Sequence, residues 1–287
     1  MDSYTESNGD VEVTDEVRAA INGIRSELQI NDALVAQLRV LRQGCESGLA
    51  LPIIAAFSAP IWQLADLRGP VVSLVGEAAS GKTEAAKLCA SVWGDPGEYQ
   101  AAPGTGWKPV FFDDEAEAYR FLNGGAERIR KGNLPGRRQR NICFLCSEHA
   151  ASDQAGIVFD MGRVHGALPA IDGQGGGDAF ARFVELASGS IKEAVSFRVS
   201  VLSRMTGCTQ PELAGAGMGN IAVLAATEAC LRKAFAGELL SPDLGSSITT
   251  DFFRRLSSVA PSPCEARRFL QGTDGVAPEA LKKDARH

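Results

Sequence analysis

The segment Gly76-Glu77-Ala78-Ala79-Ser80-Gly81-Lys82-Thr83 has the spacing G-x-x-x-x-G-K-[ST], and its surroundings constrain the fold more than any other feature of the chain. Before it runs Val71-Val72-Ser73-Leu74-Val75, short and mostly apolar. After it Ala85, Ala86, Leu88, Cys89 and Val92 recur at helical spacing as far as Trp93. A strand, a glycine-rich turn and a helix over 81–93 form the context in which this spacing becomes a P-loop: glycines let backbone N–H groups wrap around phosphate oxygens, and the helix directs its positive end at them. The candidate nucleotide contacts are therefore Gly76, Ala79, Ser80, Gly81, Lys82, Thr83 and Glu84. Lys82 is expected to reach the β and γ phosphates of ATP, and the Thr83 hydroxyl to ligate Mg²⁺.

Three more apolar runs follow, Pro109–Phe112, Asn141–Cys146 and Ala155–Phe159, and the first two lead directly into polar residues. Runs of this kind are buried parallel strands. The expected fold class is α/β, a P-loop NTPase of AAA+-like type with a parallel-sheet core. The expected division is a tail over 1–13, a helical N-terminal region over 14–68, an ATPase core over 69–206 and an α-helical C-terminal region over 207–287. The N-terminal helices follow from Val17, Ile21, Ile24 and Leu28 on one stripe and from Leu34, Val35, Leu38 and Leu41 on another, the second opened by Asn31 or Asp32. In the C-terminal half, helical spacing predicts helices over 178–206, 209–236, 247–258 and 277–285.

Hydrolysis needs carboxylates that hold the metal and orient the attacking water. Asp113, Asp114 and Glu115 end the second strand, 30 residues after Thr83. They read as a Walker B element, with Asp113 and Asp114 toward the metal and Asp114 and Glu115 in catalysis; the alternative is the acidic first turn of a helix. Ser147 closes the third strand, either as a polar group that senses the γ phosphate or as an ordinary strand-end serine. Arg163 is either an arginine finger toward a neighbouring subunit or a solvated loop residue.

Between the second and third strands, Arg128, Arg130, Lys131, Arg137, Arg138 and Arg140 supply six basic residues with no acidic one among residues 128–140. Their two arms flank Asn133-Leu134-Pro135-Gly136, a turn suited to tracking the phosphate backbone of single-stranded DNA; the alternative is solvated charge. The net charge of −6 argues against a protein that coats nucleic acid over its whole surface, so such contact would be local.

Seven scattered cysteines and an acidic N-terminus without signal-peptide order place the chain in the cytoplasm. Cys143 and Cys146 have C-x-x-C spacing but lie in an apolar strand and are expected in the core. Ser47–Ala65 carries no charge, yet Pro52 and Pro60 interrupt it, which favours a buried helix pair over a membrane span.

The run GEAASGKTEAAKLCASVWGDPG over 76–97 resembles the P-loop segment of the domain of unknown function 927 family. The preceding LALPIIAAFSAPIWQLADLRGPVVSLVG, the stretch Ala118–Gly125 and the strand Asn141–Glu148 are similar to the same family, so that the resemblance extends over about residues 30–206. It implies an ATPase of phage- or plasmid-borne primase–helicase type, related to ring-forming helicases of the AAA+ class, in which the insert before the third strand touches DNA. A homo-oligomer, with a hexamer as the ring form, is implied in the same way. The chain departs from the family in a shorter stretch from Trp93 to Asp113 and in reading Asp-Asp-Glu where Asp-Glu is usual. The functional expectation is a nucleic-acid-stimulated helicase or translocase of a mobile element. The alternative is a nucleotide-dependent switch or adaptor with slow or no hydrolysis, for which the acidic composition and helical flanks provide partner surfaces. A small-molecule kinase ranks behind both.

Overall fold

The computed structural model describes residues 32–64, 69–98, 108–113, 142–148, 157–171, 218–235 and 238–240, with a few isolated positions between them. Among the described residues four strands form one sheet: β1 (Val71–Val75), β2 (Val110–Phe112), β3 (Cys143–Ser147) and β4 (Ile157–Asp160). Every pairing is parallel and the order is β2-β3-β1-β4. This is an α/β architecture with β1 in the interior, as its unbroken burial from Val71 to Leu74 requires.

In-register neighbours share a face of a parallel sheet. One face carries Val72 and Leu74 of β1, Phe111 of β2, Phe144 and Cys146 of β3, and Ile157 and Phe159 of β4. Phe111 and Phe144 stack there with ring centroids 4.8 Å apart. Against this face packs α4 (Lys82–Ala90), whose Ala85, Ala86, Leu88 and Cys89 are buried in the same cluster. The opposite face carries Val71, Val110, Phe112, Cys143 and Leu145.

The described N-terminal helix with the stripe Leu38 and Leu41 follows its apolar pattern. α1 (Asp32–Gly44) has Asp32 in its first turn, favourable for the helix dipole, and buries Leu38 and Leu41 while Arg39 stays exposed. Ser47–Ala65 supplies the expected helix pair, α2 (Ala50–Phe57) and α3 (Ala59–Leu64), and every residue of α2 is buried. Among the described residues no helix is long and apolar enough to cross a membrane. The junction at Cys45–Leu49 is a π-turn, in which Gly48 has φ +107°. A Cβ there would lie 2.8 Å from the Arg163 carbonyl oxygen, so glycine is needed both for its conformation and for the close approach. The neighbouring Ser47 carbonyl accepts from the His165 backbone N–H at 2.9 Å, which ties the helical pair to the segment after β4.

α5 (Met218–Ala234) packs against α2 and α3. Its residues Asn220–Glu228 are all buried, as expected for a helix apolar on every side. Glu228 is fully buried and accepts from Arg232 Nε at 2.9 Å, one turn along the same helix. Phe180 joins these helices to the turn after α4, meeting Phe57 edge-on at 4.8 Å, Trp93 at 6.3 Å and Phe235 at 5.8 Å. The predicted helix over 209–236 corresponds to α5 in its described part, while those over 247–258 and 277–285 lie outside the described residues, as does the first N-terminal helix.

Candidate functional site

The turn between β1 and α4 is shaped by two left-handed residues, Ala79 at φ 61° and Gly81 at φ 84°. The second is glycine, for which this conformation is free; the first is an L residue held where its Cβ crowds the backbone. Gly76 opens the turn, and its N–H donates to the Ser147 carbonyl at 3.2 Å, fixing the start of the turn to the end of β3. A Cβ on Gly76 would stand 2.6 Å from Ser80 Oγ and 3.0 Å from Met161 Cβ, so the turn closes tightly over this position. Ser80 Oγ is buried and has no hydrogen-bond partner among the described residues.

Lys82, the first residue of α4, curls its side chain back over the turn. Its Nζ donates to the Gly76 carbonyl at 2.7 Å and to the Glu77 carbonyl at 2.6 Å. The ammonium group thus sits inside the loop that precedes it. Thr83 is half-buried and Glu84 exposed, both in the first turn of α4.

Asp113 follows β2 and is exposed. Phe112 pairs with Leu145 and Leu74 with Cys146, so the row beyond β2 sets Asp113 beside Cys146 and on the α4 face of the sheet. Burial pushes the Cys146 thiol well above its ordinary range. A hydrogen bond to the Asp113 side chain and that carboxylate's charge act in the same direction, the positive charge of Lys82 opposes them, and Glu84 adds a further upward push. The charges of Asp113, Lys82 and Glu84 thus all act on this one thiol. Two residues far apart in sequence, one in the glycine-rich motif and one after β2, therefore come together at the carboxyl end of the sheet, where open α/β folds receive their ligands.

Ser147 is nearly buried, and in the alternation of β3 it falls with Cys143 and Leu145, on the side opposite Cys146. What it visibly contributes to the turn is its backbone carbonyl. Arg163 is exposed in a short 3₁₀ turn, Met161–Arg163, whose start is capped by Asp160 Oδ1 accepting from the Gly162 N–H at 2.9 Å. Met161 packs against Gly76, so this turn abuts the glycine-rich loop. Asp114 and Glu115 lie outside the described residues, as do Arg128, Arg130, Lys131, Arg137, Arg138 and Arg140. Sequence reading assigned Cys146 only to the core, and its burial agrees; its proximity to Asp113 follows from strand order and has no local signal.

Residues 41–106 match the model of the family described as Domain of unknown function (DUF927). That stretch runs from the end of α1 through α2, α3, β1 and the glycine-rich turn to beyond α4, and includes the segment on which the resemblance is most specific. The remainder of the resemblance, out to residue 206, lies beyond the match. No curated protein matches the chain. Among solved structures, one described as "SCCmec type IV Cch - active helicase" is similar with a TM-score of 0.47 and 12% identity, over 93% of this chain and 53% of that one. The present chain thus spans about half the length of that helicase.

Proposed function

We propose that the chain binds ATP with Mg²⁺ on the turn Gly76–Thr83 and hydrolyses it as a nucleic-acid-stimulated motor of helicase or translocase type. The observation that carries the reading is that Lys82, on the turn after β1, and Asp113, directly after β2, lie at the carboxyl edge of one parallel sheet, both acting on the Cys146 thiol of the strand between them. A strand, a tight glycine turn and a helix whose first residue is lysine form a phosphate cradle, and a carboxylate beside it is what a metal-bound triphosphate requires.

The residues present fit such a ligand. Gly76 leaves no room for a side chain, which keeps the turn closed over Ser80, and among the described residues Ser80 Oγ is a buried polar atom lacking a partner. Lys82 already directs its ammonium group into the turn, where phosphate oxygens would replace the Gly76 and Glu77 carbonyls as its acceptors. The Thr83 hydroxyl and the Asp113 carboxylate would hold Mg²⁺, with Asp114 next in sequence as a further candidate. When bound, the metal supplies positive charge that offsets the charge developing on the phosphates. Within the chain, Cys146 donates to Asp113 and restrains its carboxylate. Glu115 and Asp114 remain the proposed groups for orienting water, Ser147 for sensing the γ phosphate, and Arg163 for reaching a neighbouring subunit.

The motor reading draws on the family resemblance and on the basic run from Arg128 to Arg140, which would supply the contact with nucleic acid. The deciding experiment is ATP turnover by the purified protein with and without single-stranded DNA, with Lys82→Ala as the blank. Turnover raised by DNA, and lost from that stimulation in the Arg137→Ala/Arg138→Ala double variant, is expected. Binding without turnover in either condition would instead assign the chain to nucleotide-dependent switches.

A further inference from the structure

Beside the glycine turn lies an open groove of about 640 Å³. One wall is the outward side of α4 and the turn after it, with Glu84, Lys87 and Asp95; the other is the apolar stretch Leu168-Pro169-Ala170-Ile171. This stretch follows the 3₁₀ turn that packs on Gly76, and Leu168 Cδ1 lies 3.8 Å from where a Gly81 Cβ would be. Groove and cradle are thus continuous: Glu84 is the next residue after Thr83, and the groove runs from it past the end of α4 to Gly97.

We propose that this groove receives the ribose and base of the nucleotide whose phosphates lie on the turn, an inference that rests on the phosphate-site reading above. Its size is within the range of about 300–1,000 Å³ usual for small-molecule sites. Its two walls differ in the way a nucleoside requires. Leu168, Pro169 and Ile171 present apolar surface to a planar ring, while the carboxylates of Glu84 and Asp95 accept hydrogen bonds from hydroxyl and amino groups. Order along the groove follows order along the ligand. Glu84, nearest the phosphates, faces the ribose; Asp95, at the far end, faces the base, with one of its oxygens already accepting from the Gly97 N–H at 2.7 Å and the other available.

The test compares ATP with inorganic tripolyphosphate, each with Mg²⁺, since the second carries the charge without the nucleoside. Titration calorimetry on the native protein is expected to give ATP an affinity at least about tenfold higher than tripolyphosphate. Ala170→Trp, at an exposed position, fills the groove; it should abolish most of that margin and leave tripolyphosphate affinity within about twofold of native. Ile171→Ala, which removes apolar wall without adding bulk, should narrow the margin in the same direction. Equal affinities for the two ligands in the native protein, or a margin that survives Ala170→Trp, would overturn the groove assignment while leaving the cradle intact. Affinities for both ligands that are indifferent to Lys82→Ala would overturn the phosphate-site reading itself, and this inference with it.

Discussion

Ala79→Gly tests whether the turn is held in the strained shape described. Ala79 is exposed, so its methyl group has no packing to lose, and its φ of 61° sets an L residue in the left-handed region. That conformation costs about 1–2 kcal/mol for a residue with a Cβ. Glycine removes the cost but adds about 0.4–1 kcal/mol of chain entropy to the unfolded state. The difference is a net gain of about 0.5–1 kcal/mol, or about 1–4 °C in melting temperature for a chain of this size. Ala78→Gly is the control. Ala78 is also exposed but is not among the residues of positive φ, so glycine there brings only the entropic loss and should destabilise by about 0.4–1 kcal/mol. The assay is urea unfolding of the three proteins, compared by midpoint at equal slope. If Ala79→Gly destabilises as Ala78→Gly does, the backbone argument is refuted.

Gly81→Ala should cost about 1–2 kcal/mol in the same unfolding assay, through conformation alone, since its φ is 84° and nothing lies closer than 3.8 Å to an added Cβ. Trp93→Phe removes the indole N–H that donates to the Ala56 carbonyl at 2.7 Å in a buried setting, and a loss of about 1–3 kcal/mol is expected by urea midpoint. Cys45 and Cys89 are buried thiols pushed above the ordinary range, chiefly by desolvation. The native state keeps their protons where the unfolded chain releases them, so their contribution is complete below the unfolded thiol range and declines as pH rises through about 8.5. Stability measured from pH 7 to pH 10 should fall at the alkaline end, and Cys89→Ala should make that decline shallower than in the native protein.

The part of the fold that could be read from the chain is the part fixed by neighbours in sequence. β1, the glycine turn and α4 announce themselves because an apolar run, two glycines and a helical stripe adjoin one another. α1 does so through Leu38 and Leu41 with Asp32 at its start. Apolar spacing predicts that the helix after the turn reaches Trp93; it ends at Ala90, where the Trp93 N–H bonds to Ala90 only three residues back and the indole donates to the Ala56 carbonyl in α2. The π-turn at Gly48 has no local signal, since the need for glycine comes from the Arg163 carbonyl, which the chain returns only after β4. Asp113 was legible as a candidate by its place after an apolar strand. Its partner Cys146 was not, because only the strand order β2-β3-β1-β4 brings β3 between the carboxylate and the lysine. Leu168–Ile171 carries no local signal for a similar reason: what gives this short apolar stretch a role is its position across the groove from α4.

The central claim is that Lys82 and the turn before it form a phosphate site, and the most direct measurement is calorimetric titration of Mg²⁺-ATP into the native protein and into Lys82→Ala. Saturable binding by the native protein, weakened at least about a hundredfold by loss of the ammonium group, or about 2.7 kcal/mol, is the predicted result. Affinity in Lys82→Ala within about twofold of native would contradict it.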